Sequence, residues 1–329
     1  MTVNAPFNLT DLEILTFGRS SVDMYPEQLN VKLADVSTFR KSIGGSPTNV
    51  AVAAARLGRK AAVINRVGDD AFGAYVRQGL RDFGVHNEFI STDPELLTPV
   101  VFCELMPPEE PSIYFYREPR GPDMNISIAD MPIDTIGTVP LFWLAGSRFA
   151  EEPSRSAAMA ALEARGRKQH TVIDLDYRPM FWDSPEHAAE FISPAIDHCT
   201  VAVGNKEECE IAVGTRIPDE AADRMLERGV QIAIVKQGGD GVMVATADSR
   251  TVIDPIRVPV VCGLGAGDAF GGSLAHGLLA GWEPAEIVTR ANAAGAIVAG
   301  RLMCSDDMPT SAEIDHLLAT GEVSERLIS

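Results

Sequence analysis

The chain is 329 residues long, 46% hydrophobic and 22% charged, which supplies apolar surface for a sizeable core and excludes fibrous and disordered classes. That length fits one large α/β domain or two unequal lobes. Lys plus Arg number 28 against 46 Asp plus Glu; the formal charge of −18 repels a phosphate backbone and excludes nucleic acid as a partner, leaving room for a local basic pocket for a small anion.

In chain order, apolar runs at 13–18, 60–67, 141–145, 171–175, 199–203 and 230–235 read as strands. Helical patterns at 47–57, 70–83, 154–167, 186–197 and 205–212 lie between them. This alternation implies an α/β fold with a mostly parallel sheet covered on both faces, which binds ligands at the carboxyl ends of its strands. Segments 22–42 and 97–121 interrupt the pattern with Pro26, Pro99, Pro107, Pro108, Pro111 and Pro119 and with short β-like runs at 99–105 and 112–116. They read as a small β-rich insertion over the ligand edge, or as surface hairpins with no part in closure.

The five cysteines, at 103, 199, 209, 262 and 304, include no pair at metal-ligand or redox-motif spacing, and the six histidines include none spaced like a zinc site. No run of about 18 uncharged apolar residues occurs, and MTVNAPFNLT lacks the build of an export signal. The expectation is a soluble cytoplasmic protein with reduced thiols, no membrane contact and no protein-held transition metal.

Three motifs can carry chemistry. In VVCGLGAGDAFGGSLAHGLLAG at 260–281, an apolar strand is expected to end at Val261, glycines 263, 265 and 267 to form a tight turn, and a helix to start near Ala266 to Asp268. Unpaired amides at that helix start suit a phosphoryl group. Asp268 serves there either as a helix N-terminal carboxylate or as the base that takes a proton from an attacking hydroxyl. The loop is neither a P-loop, since no Gly-Lys dipeptide occurs in the chain, nor a dinucleotide fingerprint; phosphates would be held by amides rather than a Walker lysine. In IGGSPTNVAVAAARLG at 43–58, Gly44, Gly45 and Asn49 offer amide and carboxamide groups to sugar hydroxyls, or form an ordinary glycine turn before a helix. Asp23, five residues past Gly18, can accept two hydroxyl hydrogen bonds from a polyol or lie solvated in a loop.

Asp23, GGSPTN at 44–49, VGDDAFG at 67–73, NKEE at 205–208 and GAGD at 265–268 together resemble the ribokinase, or PfkB, family of carbohydrate kinases over nearly the whole chain. GRSSVDMYP at 18–26, LDYRPMFW at 175–182 and CSDDMP at 304–309 draw it towards members that act on a keto sugar acid. The resemblance implies one ribokinase-like domain over 1–329, a three-layer α/β/α sandwich with a mostly parallel central sheet and a small β lid formed by segments 22–42 and 97–121. It implies ATP, Mg²⁺ and, in many members, K⁺, with a homodimer made through the lids.

Residue by residue, it makes Asp268 the catalytic base and the amides of Gly265, Ala266 and Gly267 the anion hole. Asn205 and Glu208 would organise Mg²⁺ and its waters, while Lys236, Gly238, Gly241 and Asn292 would wall the nucleotide side. Asp23, Gly44, Gly45 and Asn49 would meet the sugar, with Arg178 and Arg117 on its carboxylate; Arg117 and Arg120 alternatively pair with Glu109, Glu110 or Glu118. Trp143, Trp182, Met303 and Met308 read as packing residues. Two departures stand out: Cys262, Gly263 and Leu264 occupy the place of the family's Asp-Thr-Thr before GAGD, and Asp176 stands where Asp-x-Asn-x-Arg has Asn. The acceptors open on this reading are a keto-deoxy sugar acid or fructose; a non-catalytic sugar-binding regulator would need no base at position 268.

Overall fold

A computed structural model describes residues 9–107 and 111–324; Pro108, Glu109 and Glu110, within the expected 97–121 insertion, lie outside the described residues. β1 (Ile14–Phe17) is followed by β2 (Ser21–Pro26), β3 (Phe39–Gly44), α1 (Ser46–Arg56) and β4 (Ala61–Gly68). α2 (Ala71–Asp82) is started by Asp70, whose side chain accepts from the Gly73 amide, and leads to β5 (Ile90–Asp93). Next come β6 (Val100–Glu104), β7 (Ser112–Tyr116), α3 (Ile133–Thr138), β8 (Leu141–Ala145), α4 (Ser154–Arg165) and β9 (Thr171–Asp174). α5 (Pro185–Ala195), β10 (Val201–Asn205), α6 (Lys206–Val213), α7 (Pro218–Glu227), β11 (Ile232–Lys236), β12 (Val242–Ala245) and β13 (Arg250–Ile253) follow. Three helices, α8 (Ala266–Ala280), α9 (Pro284–Ala299) and α10 (Ser311–Thr320), end the described chain.

The large sheet has the order β13-β12-β11-β10-β9-β8-β1-β4-β5. Its pairings are parallel from β11 to β5, and β12 alone is reversed, pairing antiparallel with both β11 and β13. Its central strands are buried on both faces, which is why runs such as LFWLA in β8 are apolar without alternation. One face packs on α1, α8, α9 and α10 through Val50, Trp143, Phe270 and Ile297, among others. The other packs on α4, α5, α6 and α7 through Leu162, Ile192, Cys209 and Met225, so the molecule has three layers.

Segments 22–42 and 97–121 supply most of a second, four-stranded sheet of order β3-β2-β6-β7. Here β2 pairs antiparallel with β3 and parallel with β6, and β6 pairs antiparallel with β7. A small cluster of Tyr25, Cys103, Leu105, Cys262, Met303 and Cys304 ties this sheet to the loop before α8.

The expected strand ending at Val261 does not form: residues 254–261 run without strand pairing. Pro255 and Pro259 have no amide to give a ladder, and the amides of Val261 and Cys262 donate instead to the Ala299 carbonyl, at 2.9 and 3.1 Å. The helix does begin at Ala266, as the glycine turn predicts. Among the described residues no helix is long and apolar enough to cross a membrane, and no group of three or more His, Cys, Asp or Glu side chains is placed to hold a metal ion.

Candidate active site

The segments that follow β1 and β9, the carboxyl end of β10 and the start of α8 converge beneath the small sheet, around a cavity of about 310 Å³. Asp23, Gly45, Asn49, Arg178, Asn205, Gly265, Gly267 and Asp268 all line it, although they come from parts of the sequence as far apart as β2 and α8. Gly44 lies directly behind Asp23: a Cβ there would stand 2.0 Å from the Asp23 carboxylate oxygens, so only glycine leaves that carboxylate its place.

Asp268 sits in the first turn of α8, where its Oδ1 accepts from Ser46 Oγ at 2.6 Å and its Oδ2 from Asn49 Nδ2 at 2.7 Å. Asn49 is fixed in turn by Ser305 Oγ, which donates to its Oδ1 at 2.7 Å. Burial pushes the Asp268 carboxyl above its ordinary range; the two hydrogen bonds and Arg19 pull it back in part, and the charge of Asp176 pushes it further up. The result is an oriented carboxylate with a strengthened affinity for a proton, which is what a general base for a hydroxyl needs. Asn49, expected on the sugar, is committed here to holding Asp268.

The start of α8 provides donors. Gly265 adopts φ +85°, open to glycine, and a Cβ on it would lie 2.5 Å from Cys304 Sγ. The amides of Gly265 and Gly267 make no backbone hydrogen bond among the described residues. The Ala266 amide, expected beside them, instead donates to the Gly263 carbonyl at 3.3 Å. Lys236 joins this loop from the end of β11, where it pairs in register with Asn205. Its Nζ stands 3.6 Å from the position a Gly267 Cβ would take, and it makes no hydrogen bond or ion pair among the described residues. Burial opposes its charge, but Asp174 and Glu208 hold the ammonium above its usual range. A lysine from another strand therefore stands beside the glycine turn, although it does not line the cavity; the sequence placed it only on a nucleotide wall.

Asn205 and Glu208 form the capping box of α6: Asn205 Oδ1 accepts from the Glu208 amide at 2.9 Å, and Glu208 Oε2 from the Asn205 amide at 2.7 Å. Asp174, at the end of β9, is raised by burial and by the neighbouring charges of Glu208, Asp176 and Asp268, against the pull of Lys236. Gly238, Gly241 and Asn292 do not line the cavity. The two glycines shape the turn after β11, pinned by the Lys206–Asp240 ion pair at 2.9 Å, and Asn292 Nδ2 donates to the Asp254 carbonyl at 2.8 Å.

Asp23 is only 4% exposed, accepts from Ser21 Oγ at 2.6 Å, and lies 3.3 Å from the Tyr25 hydroxyl. Burial pushes its pKa up to about 6 despite these donors and Arg19. A carboxyl whose folded pKa lies above its unfolded one adds stability at low pH that is lost as pH rises through the folded value. Asp23→Asn is therefore expected to raise the melting temperature by a few degrees at pH 7.5, on the order of 2 kcal/mol, and by much less at pH 4.5. Calorimetry at the two pH values checks this; equal shifts would contradict it.

The arginines are arranged otherwise than expected. Arg178 lines the cavity, with its Nε 3.2 Å from Asp176 Oδ1. Arg117 does not. Its guanidinium lies 3.5 Å from Asp123, over the Phe181 ring at 4.5 Å, beside a separate cavity of about 670 Å³ between β7 and residues 180–187. Asp123 is fully buried with Arg148 at 2.6 Å, and their network draws Arg117 inward. Arg120 donates to the carbonyls of Met124 and Glu152 and lies 3.5 Å from Glu151. Arg19, not singled out in the sequence although it follows the end of β1, comes to the cavity instead. Ser46 and Ser305, also unnoticed, lie within the GGSPTN and CSDDMP motifs.

The profile described as pfkB family carbohydrate kinase matches residues 11–311. Two relatives named 5-dehydro-2-deoxygluconokinase are 32% identical over 314 residues in Geobacillus thermodenitrificans (strain NG80-2) and 31% over 316 in Clostridium tetani (strain Massachusetts / E88). In both comparisons 93% of this chain and 93% of the relative are covered. Among solved structures, fructokinase from Vibrio cholerae O395 with fructose, ADP and calcium ion bound superposes with TM-score 0.82 at 26% identity, covering 94% of this chain and 99% of that one. An E. coli protein described as a ribokinase II, in complex with ATP and Mg²⁺, shares the fold at TM-score 0.85 and 21% identity, with 94% and 99% covered.

Proposed function

The chain belongs to the pfkB family of carbohydrate kinases, and from that premise we propose that it transfers the γ-phosphoryl group of ATP to the terminal (6-) hydroxyl of 5-dehydro-2-deoxy-D-gluconate, a step in the breakdown of myo-inositol. The observation that carries this reading is the Arg178 guanidinium in the same cavity as Asp268, in a chain of charge −18 whose other groups at that cavity include Asp23. A neutral sugar needs no such cation; a sugar acid does.

In this mechanism Asp23 and the Gly45 region hold acceptor hydroxyls, and Asp268, aimed by Ser46 and Asn49, takes the hydroxyl proton as the new P–O bond forms. The amides of Gly265 and Gly267 with the Lys236 ammonium neutralise the oxygens of the group in transfer. Bound Mg²⁺ supplies further charge neutralisation at the phosphates. Asn205, which lines the cavity, and Glu208, hydrogen-bonded to it in the capping box, are the residues that would hold it, through water. The small sheet, acting as a lid, would exclude the water that competes as acceptor.

Turnover with Mg-ATP on 5-dehydro-2-deoxygluconate, 2-keto-3-deoxygluconate, fructose, ribose and adenosine tests the reading. The expected order puts 5-dehydro-2-deoxygluconate first in kcat/KM, and Arg178→Ala reduces its advantage over fructose by about 10²-fold, as loss of a charge-assisted contact requires. Equal or better use of fructose or ribose by the unaltered protein would overturn the acid assignment.

A further inference from the structure

We propose that Arg19, spread against Arg178 by the carboxylate of Asp176, is a second binding group for the acceptor's carboxylate, so that Arg19 sets the preference for an acid over a neutral sugar. The inference rests on the sugar-acid reading above and adds to it a residue to which that reading gave no part.

Asp176 stands at the centre of the unit. Its Oδ2 accepts from Arg19 Nη1 at 2.7 Å and from Ser147 Oγ at 2.6 Å, and its Oδ1 lies 3.2 Å from Arg178 Nε. Ser147 also accepts from Arg19 Nη1 at 2.8 Å, which locks the rotation of that guanidinium. Asp176 is 2% exposed and adopts φ +31°, an uncommon conformation for a residue with a side chain, kept where surrounding contacts impose it. It is also the position where keto-sugar-acid relatives commonly carry asparagine, in the pattern Asp-x-Asn-x-Arg, the aspartate being a variant that the resemblance includes. An asparagine would bring no charge; the aspartate binds two guanidinium groups and neutralises only one of them.

Counted by itself the unit carries one positive charge, set at the wall of the cavity that also holds the carboxylates of Asp23 and Asp268. A guanidinium has five N–H donors. Arg178 uses only Nε on Asp176, leaving both terminal nitrogens without a partner among the described residues, and its side chain is 39% exposed. Arg19 is 7% exposed, but its Nη2 has only a 3.5 Å contact with Asp176. The Phe181 ring packs against both Arg19 and Arg117, its centroid 5.5 Å from one guanidinium carbon and 4.5 Å from the other, while Arg117 turns to Asp123. Two guanidinium groups joined through one carboxylate, with free donors on both, are complementary to a planar anion with two oxygens.

Equilibrium calorimetry, without nucleotide turnover, tests this with 5-dehydro-2-deoxy-D-gluconate and D-fructose as paired probes and the nonhydrolysable AMP-PCP as a check on the fold. Arg19→Met is expected to weaken acid binding about 30-fold while fructose and AMP-PCP affinities stay within threefold. Arg19→Lys, which retains the charge without the fork and serves if the methionine variant does not fold, is expected to weaken the acid about tenfold with fructose unchanged. Undiminished acid affinity in either folded variant, or equal losses for acid and fructose, would overturn the role of Arg19 and leave the sugar-acid reading standing. If the unaltered protein bound fructose in preference to the acid, both would fall.

Discussion

Asp268→Asn is expected to lower kcat by about 10³-fold while the affinities for acceptor and nucleotide change little. Asparagine occupies nearly the same volume and can still accept through its amide oxygen from Ser46 or Asn49, the two side chains that now fix the carboxylate at 2.6 and 2.7 Å. What it loses is the capacity to take a proton. The same reasoning sets the pH profile: burial places the Asp268 pKa above the usual carboxylate range, and the base works only when ionised, so kcat/KM must fall as pH drops through a value higher than that of an exposed aspartate. A variant that retained more than a tenth of the rate, or a profile flat down to pH 4, would mean that another group removes the proton.

Lys236→Met is expected to cost about 10² in kcat and to abolish the preference for AMP-PCP over AMP in a binding assay. The ammonium stands beside Gly267 with no ion pair among the described residues, while the charges of Asp174 and Glu208 keep it protonated. A cation so placed favours a phosphoryl group over a neutral ligand. Because methionine matches the length of the lysine stem, packing under the turn after β11 should survive, and a melting temperature close to that of the unaltered protein would confirm it. Unaltered affinity for AMP-PCP would show that Lys236 only neutralises Asp174 and Glu208.

Much of the scaffold could be read from residue pattern because the parallel strands are buried on both faces and so appear as unbroken apolar runs. The same criterion misled at 254–261, where apolar residues alternate with prolines that cannot complete a ladder, and it passed over β5, whose ISTD is polar and only four residues long. The glycine-rich segments made the site legible, since GGSPTN and GAGD bring Ser46, Asn49 and Asp268 into direct contact. The arginines were legible only in part. Arg117 turns to Asp123, which Arg148 also holds, and Arg19 is held at the cavity by Asp176 and Ser147, partners that meet only after the fold is formed. Lys236 reaches the α8 loop through the pairing of β10 with β11, a register that no local motif encodes.

The most direct test of the account is to incubate the protein with Mg-ATP and 5-dehydro-2-deoxy-D-gluconate and to identify the product by ³¹P–¹H correlated NMR. Transfer through Asp268 to an acceptor anchored by its carboxylate predicts one phosphate monoester, coupled to the terminal methylene protons, formed in step with ADP. ADP with free inorganic phosphate and no ester, or an ester on a secondary hydroxyl, would contradict it.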